Sequence, residues 1–456
     1  MNKHHRTNPS KPIFKRVIFI VCALLTLLLT VVATFLIRGQ SGNPKPNSAL
    51  AATKESIKNN HPDLAGLTQY LDEKYPECPS TLSGLLTAPL EPMDEISSIS
   101  PLGNLGPPFH TFPSDHQGLN NHKNNAINPR VAVFAPGNFM VSNLLVETRE
   151  YASGEKDFTY AFTFVACRGV LITVALIDEL TPEWEQKVTA QDGECKTFMK
   201  SSGNVGEAMI TTTQCTYTVD YKTQAGEQIG WTGGGKYDSV IEVWAYNLWK
   251  EPDPNFAWSD VGYSLYPYSF CLFDMYSGDL YTQFQNKFGE FQLQVSKYDE
   301  VTGKTIFIGD NKLHPRLAEP RCGTVHQNIF GTAQGWWLPE GTNPTTDNPN
   351  PTTDNLGLAL VHGNYDPSKA AISGGLYFDP YYRIDFSPEH SGLYNRDFSE
   401  VTADGYIYCY KGFWFSVDTP WRILIKLIDA HTLMAEHQVG ACSGNLAFQN
   451  PVTYTR

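Results

Sequence analysis

Three side chains that bind metals in proteins lie within seven residues of one another. They are His110, Asp115 and His116, in the run Gly106-Pro-Pro-Phe-His-Thr-Phe-Pro-Ser-Asp-His116, and His122 follows closely. Imidazole nitrogens and carboxylate oxygens are ligands of zinc, and three protein ligands leave the fourth position of the tetrahedron for an activated water. The simpler alternative is a turn rich in proline and serine that Asp115 caps, because the spacing fixes no third ligand.

Other catalytic signatures are weaker. The chain contains no G-x-S-x-G nucleophile elbow and no H-E-x-x-H zinc helix. The run Gly233-Gly-Gly-Lys236 is followed by Tyr237, whereas a phosphate-binding loop needs Ser or Thr after its lysine, so we predict a tight turn. A Ser/His/Asp triad stays open, since its members need not be close in the chain.

The elements that must position these residues are mainly β-strands. Segments dense in β-branched and aromatic residues, bounded by Gly, Pro, Asn or Asp, follow one another from residue 101 onward. A short helix is expected near Leu280–Phe288. The clearest strand predictions are Arg130–Phe134, Thr159–Phe164, Val170–Ile177, Met209–Tyr221, Ser239–Tyr246, Phe291–Tyr298, Thr305–Gly309, Leu356–His362, Tyr406–Val417 and Arg422–Asp429.

The strand pattern predicts two β-rich blocks, a first domain at 101–290 and a second at 291–456. Residues 38–100 are predicted to form a tether with a short helical segment. The hexapeptide NPTTDN occurs at 343–348 and again at 350–355. It offers no apolar side chain to a core, so we predict a mobile loop at 342–355.

An apolar run marks the N-terminus. Residues 17–37 contain no charged residue, and at a rise of about 1.5 Å per residue they are long enough to span a bilayer. Basic residues dominate the tail at 1–16, which predicts a cytoplasmic tail and a transmembrane helix or signal anchor. The protein is then anchored in the inner membrane with its later domains in the periplasm. Secretion after signal cleavage is the alternative, although a signal-peptide core is usually only about 7–15 residues long.

Cysteine content and charge agree with export. Beyond Cys22 the chain has eight cysteines and no C-x-x-C pair, which predicts up to four disulfides, with reduced buried thiols as the alternative. Residues 1–38 hold six of the 34 Lys and Arg residues and none of the 47 Asp and Glu residues. The remainder has 28 basic against 47 acidic residues, a net charge of −19 that disfavours nucleic acid as a partner.

Aromatic residues are dense near the C-terminus, at Tyr406, Tyr408, Tyr410, Trp414 and Trp421. Such residues could form an exposed platform that stacks on sugar rings. The competing prediction is that they fill a β core, because large aromatic side chains are mostly buried in folded proteins.

Residues 101–246 resemble the lysostaphin-like β-barrel of the M23 metallopeptidases, which is also called the duplicated hybrid motif. His110 and Asp115 resemble its His-x-x-x-Asp zinc half-site with one extra residue between them, and Val131–Gly137 resembles its strand into APxxG. Phe162–Leu180 is similar to the strand that carries a histidine in that family. Gly230–Val243 is similar to its glycine turn followed by HxHFEV.

The departures from that family concern its catalytic histidines. The strand position is Leu176, and the two positions of His-x-His are Asp238 and Val240. The resemblance therefore implies a degenerate barrel without the imidazoles that zinc-dependent hydrolysis of peptidoglycan cross-bridges requires.

Residual zinc binding through His110 and Asp115, with His116 or Asp238 as a third ligand, is the metal site that the resemblance leaves open. Residues 101–450 as a whole are similar to a family of exported bacterial proteins, in runs such as Cys322–Val325 and Asp404–Cys409. That likeness implies no particular chemistry.

These features together predict a non-catalytic cell-envelope protein that binds a glycan, a peptide or an envelope protein and needs no cofactor. A zinc-dependent peptidoglycan endopeptidase with an altered ligand set is the alternative from a different class. A structural or assembly component of the envelope is the third.

Overall fold

The structure is a computed structural model that describes residues 71, 73–107, 110–121, 129–151, 154–201, 209–233, 240–250, 265–292, 295–299, 304–342, 357–375, 382–414, 417–418 and 421–456. The prediction of a mainly β protein is confirmed, because strands dominate the described residues and the two α-helices are eight residues long. The predicted transmembrane segment at 17–37, most of the tether, and the repeat at 343–355 lie outside the described residues.

The first half of the chain forms an eight-stranded antiparallel sheet. Its spatial order is β1-β2-β11-β6-β5-β4-β9-β8. A three-stranded sheet, β3-β10-β7, packs beside it, and helix α1 follows β7 directly. The bounds are β1 Ser98–Ser100, β2 His116–Asn120, β3 Val131–Phe134, β4 Met140–Glu150, β5 Lys156–Cys167, β6 Val170–Ile177, β7 Glu179–Leu180, α1 Pro182–Thr189, β8 Glu194–Ser201, β9 Met209–Lys222, β10 Gln228–Thr232 and β11 Val240–Asn247.

The second half forms a ten-stranded antiparallel sheet of order β20-β23-β24-β25-β16-β17-β18-β19-β21-β22, and two two-stranded sheets, β12-β15 and β13-β14, precede it. Short 3₁₀ helices occur at Tyr266–Tyr268, Leu272–Met275 and Phe398–Glu400. The bounds are α2 Gly278–Gln285, β12 Gly289–Gln292, β13 Val295–Asp299, β14 Lys304–Ile308, β15 Lys312–Pro315, β16 Gly335–Pro339, β17 Leu358–His362, β18 Ala370–Gly374, β19 Tyr382–Phe386, β20 Tyr408–Tyr410, β21 Phe413–Trp414, β22 Val417–Asp418, β23 Trp421–Leu427, β24 Thr432–Val439 and β25 Val452–Thr455.

Four disulfides join cysteines that are distant in sequence. The pairs are Cys78–Cys167, Cys195–Cys215, Cys271–Cys322 and Cys409–Cys442, which confirms the predicted number. The third links the end of the first half to the loop that precedes β16. Gln117 supports this link, since its Nε2 donates to the Cys322 sulfur at 2.9 Å and its Oε1 accepts from the Leu272 amide at 3.2 Å.

Apolar clusters fill each half, and one cluster lies where the halves meet. It joins Leu102, Phe112 and Tyr266 from the first half to Trp336 and Val361 from the second. The Phe112 and Trp336 rings stack with 4.9 Å between centroids. This contact fixes the segment at 110–116, because Phe112 is 1 % exposed and cannot leave the cluster without opening a large cavity.

The predicted aromatic core is confirmed at Tyr408 and Tyr410, which are buried in the second sheet. Tyr406 is 59 % exposed and Trp421 is partly exposed, and the side chain of Trp414 lies outside the described residues. A continuous exposed platform of all five residues is therefore wrong.

Candidate functional site

The segment that carries His110, Asp115 and His116 is positioned by β2 and β11. His116 begins β2 and pairs with Trp244 of β11. Because side chains two residues apart on a strand share a face, Trp244 and Tyr246 can both reach the residue just before β2. Trp244 Nε1 donates to Asp115 Oδ1 at 3.1 Å, and the Tyr246 hydroxyl donates to Asp115 Oδ2 at 2.6 Å. Both oxygens of this buried carboxylate are thus bonded to neutral ring donors.

The two histidines contact each other beside this carboxylate. The ring centroids of His110 and His116 are 5.1 Å apart, and that of His116 is 4.7 Å from the Trp244 ring. His116 Nδ1 lies 3.6 Å from Asp115 Oδ1, and its Nε2 lies 3.6 Å from Glu242 Oε1. Burial, together with the neighbouring His116, lowers the pKa of His110 to about 3, so this imidazole is neutral at physiological pH.

Within the described ranges no group of three or more His, Cys, Asp and Glu side chains is arranged to hold a metal ion. His122 and Asp238, two residues considered as further ligands, lie outside those ranges. What the described residues do form is a polar node, composed of His110, Asp115, His116, Trp244 and Tyr246, that ties the end of the 110–116 segment to β11. Burial raises the pKa of Tyr246 well above its ordinary value, and the neighbouring Asp115 carboxylate raises it further.

Two of the positions where the M23 resemblance expects histidines converge elsewhere on the first sheet. The Thr232 hydroxyl donates to the carbonyl oxygens of Leu176 at 3.0 Å and Val240 at 3.4 Å. Val240 pairs with Asn120 at the far end of β2, four residues from the Trp244–His116 pair. Four residues of strand correspond to roughly 13 Å, so Val240 lies about that far along β11 from the Trp244–His116 pair.

A second histidine and aspartate meet in the second half. His362, at the end of β17, directs Nδ1 to the Pro367 carbonyl oxygen at 2.8 Å and Nε2 to Asp397 Oδ2 at 3.3 Å. The Ser399 amide and hydroxyl donate to Asp397 Oδ1 at 2.9 and 2.6 Å. The hydrogen bond from His362 holds the pKa of Asp397 well below its usual range, and the same bond raises the pKa of His362.

His362 also lines a cavity of about 330 Å³, which lies between the loop that joins β15 to β16 and the turn that joins β17 to β18. The Gln327 side chain links the two loops through a pair of hydrogen bonds to the backbone of His362. Its Oε1 accepts from the His362 amide at 2.8 Å, and its Nε2 donates to the His362 carbonyl oxygen at 3.1 Å. Other lining residues are Arg316, Glu319, Thr324, His326, Asn328 and Asn364.

Arg316 is a charged residue that lines this cavity, and it is only 4 % exposed. Its Nε donates to the Pro320 carbonyl oxygen at 3.1 Å, and one terminal nitrogen donates to the Asn364 carbonyl oxygen at 2.6 Å. Burial lowers the pKa of the guanidinium, although arginine keeps its charge at physiological pH. The cavity thus combines a buried cation that bonds to carbonyl oxygens with the exposed carboxylate of Glu319.

Comparison with known protein families, with curated proteins and with solved structures found no match. The function is therefore inferred from the residues and their contacts. Among the described residues, no helix is both long enough and apolar enough to cross a membrane.

The cavity residues were missed by reasoning from the sequence. Arg316 and Asn364 are 48 residues apart, and neither belongs to a recognisable motif. The available signal was local: Arg316 follows a strand and precedes the run Glu319-Pro-Arg-Cys-Gly323, whose proline, cysteine and glycine predict a fixed loop.

Proposed function

We propose that this protein is a non-catalytic binding protein of the cell envelope, and that the cavity lined by Arg316, His362 and Asn364 is its binding site. The cavity is the observation that carries the proposal. Its volume falls at the lower end of the range typical of small-ligand pockets, about 300–1,000 Å³. In such pockets a small number of placed polar groups fix the orientation of the ligand, and Arg316, His362 and Asn364 are polar groups of this lining.

Export is supported by the covalent structure. Four disulfides are typical of proteins that fold in an oxidising compartment. The apolar run at 17–37, with basic residues before it, is typical of an inner-membrane anchor whose following chain lies in the periplasm. Peptidoglycan, its peptides and other envelope proteins are the partners that this location offers.

Binding without cleavage is supported by the polar node. Asp115 already accepts hydrogen bonds from Trp244 and Tyr246 at both carboxylate oxygens. Among the described residues, no further His, Cys, Asp or Glu side chains are arranged around this carboxylate to complete a three-ligand zinc site. We propose that the protein keeps a fold similar to the lysostaphin-like barrel without the hydrolytic activity of that family.

A two-readout experiment tests the proposal. The purified full-length protein is mixed with peptidoglycan sacculi, with and without added zinc, and is then sedimented. We expect the protein to appear in the pellet while the supernatant contains no released muropeptides. Muropeptides released only with zinc would instead support an endopeptidase with an altered ligand set. Absence of the protein from the pellet, with soluble envelope peptides also failing to bind, would refute the binding function.

A further inference from the structure

We infer that the cavity binds the free carboxylate of a small ligand that also carries an N–H or O–H group next to that carboxylate. The inference rests on the proposed function, since it names the chemical class that this binding site takes. It is carried by two buried side chains at the cavity, Arg316 and Asn364.

Arg316 provides the cationic half of the site. Within the described part of the chain, no carboxylate lies within 4.0 Å of its guanidinium, although the charges of Glu319 and Asp366 act on it from farther away. Its hydrogen bonds use Nε and one terminal nitrogen, both to backbone carbonyl oxygens, so the guanidinium retains donors for a further acceptor. Burying a guanidinium is costly unless its charge and its donors find partners, and a planar carboxylate matches the geometry of those donors.

Asn364 provides the neutral half of the site, and it is 3 % exposed. Its Nδ2 donates to the Pro101 carbonyl oxygen at 3.3 Å, which fixes the orientation of the amide. The buried Oδ1 has no hydrogen-bond partner among the described residues. Asn364 lines the cavity, and a ligand donor that reaches this buried acceptor would satisfy it.

The negative charge of Glu319 favours singly charged over doubly charged anions in the cavity. Glu319 lines the cavity and its side chain is 76 % exposed, paired at 3.3 Å with Arg321. A negative charge near the entrance disfavours a dianion more than a monoanion. We therefore expect a monocarboxylate to bind in preference to phosphate. A peptide C-terminus and a free 2-hydroxy acid both combine a carboxylate with a neighbouring donor.

Calorimetric titration of the full-length protein tests the inference with defined probes. N-acetylalanine mimics a peptide C-terminus, and lactate represents the free hydroxy acid. Propionate lacks the neighbouring donor, N-acetylalanine amide lacks the charge, and inorganic phosphate is the dianionic comparison. We expect N-acetylalanine or lactate to bind, and whichever binds more tightly identifies the source of the carboxylate. Propionate should bind at least fivefold more weakly than lactate, and the neutral amide should not bind.

Matched arginine variants locate the site. Arg316→Gln should weaken binding of the tighter probe at least tenfold, because a hydrogen-bonded charge is lost from a buried site. Arg130→Gln is the control, since Arg130 pairs with Glu179 in the first half of the chain and does not line the cavity, and it should leave binding unchanged. Equal affinity of wild type and Arg316→Gln, or equal binding of the amide and the acid, would overturn the inference.

Two outcomes separate this inference from the proposed function. If Arg316→Gln fails to fold, the comparison of acid with amide on the wild-type protein still decides, because it needs no variant. If none of the small carboxylates binds while the protein still sediments with sacculi, the ligand class is wrong and the binding function stands.

Discussion

Two regions of this molecule place a histidine beside a buried aspartate, and they reach opposite electrostatic outcomes. In the polar node, Asp115 accepts from an indole and a phenol, and burial lowers the pKa of the nearby His110 to about 3. In the second half, Asp397 accepts from Ser399 and from His362, whose pKa is raised. The first region keeps His110 neutral, whereas the second favours the protonated form of His362.

The two protonation states differ because His362 and His110 have different neighbours. His362 has an acceptor at both ring nitrogens, the Pro367 carbonyl oxygen and Asp397, and two acceptors are satisfied only when both nitrogens carry hydrogen. His110 has another imidazole as its neighbour instead. A histidine close to an aspartate therefore does not define a site until the remaining partners of both groups are known.

The largest expected effect comes from removing the carboxylate of the polar node. Asp115→Ala leaves the Trp244 indole and the buried Tyr246 hydroxyl without their acceptor, and we expect the free energy of unfolding to fall by about 3 kcal/mol. Tyr246→Phe removes one donor and should cost roughly 1 kcal/mol. Urea denaturation at pH 7 measures both. Equal small losses in the two variants would contradict the structural role of Asp115.

A third carboxyl sharpens the comparison, because it has fewer donors. Glu91 is fully buried and accepts one bond, from Asn121 at 3.0 Å, and burial raises its pKa from 4.5 to about 8. Because the folded pKa of Glu91 lies above its unfolded value, the protonated side chain stabilises the folded state at low pH. This contribution is complete below about pH 4.5 and is lost as the pH rises to about 8. Stability should therefore decline across that window.

Glu91→Gln removes the titrating carboxyl group and should flatten this decline. The free energy of unfolding of the variant should then exceed that of wild type by about 2 kcal/mol at pH 8.5 and by little at pH 4.5. Denaturant unfolding at the two pH values measures the gain. Asp94→Asn, on the same turn and exposed, is the matched control. A gain of equal size at both pH values would contradict the assigned pKa of Glu91.

The smallest effect is expected at the second histidine–aspartate region. Asp397→Asn removes the charge opposite His362 and should cost roughly 1–2 kcal/mol. The raised pKa of His362 contributes stability that is complete below 6.5 and is lost as pH rises through its folded value. The lowered pKa of Asp397 contributes stability that is present above 3.8 and is lost at lower pH.

The loss in Asp397→Asn should therefore be largest between about pH 4 and 6.5 and smaller at pH 9. Unfolding curves for the variant and wild type at pH 5.5 and 9 test this. Asp385→Asn is the control, because Asp385 pairs with Arg383 at the surface. A loss that does not change with pH would show that Asp397 acts only as a hydrogen-bond acceptor.

Local sequence predicted the strands well where burial is continuous. The run VLITVALI predicted β6 at its observed bounds, because every residue suits a strand buried on both faces. Helix α1 was missed, although Thr181, Pro182 and Glu183 form a recognisable helix start. The predicted continuous strand at 406–417 is interrupted, since Gly412 packs its backbone against Ile384 and Asp385 where a larger residue would not fit.

The candidate sites could be predicted only in part. The proximity of His110 to His116 follows from their spacing, but the donors that occupy Asp115 come from β11, 129 and 131 residues later. The spacing of residues on one strand cannot reveal which side chains a neighbouring strand supplies. The cavity depends in the same way on two loops that only the folding of the second sheet brings together.

Histidine protonation is the most direct test of the contrast between the two regions. A pH titration of the imidazole resonances of the folded protein, assigned through His110→Gln and His362→Gln, measures both sites in one experiment. We predict that His110 stays neutral down to pH 4 and that His362 titrates with a midpoint above 6.5. A His110 that takes up a proton near pH 6.5, or a His362 that is neutral at pH 6, would contradict the account.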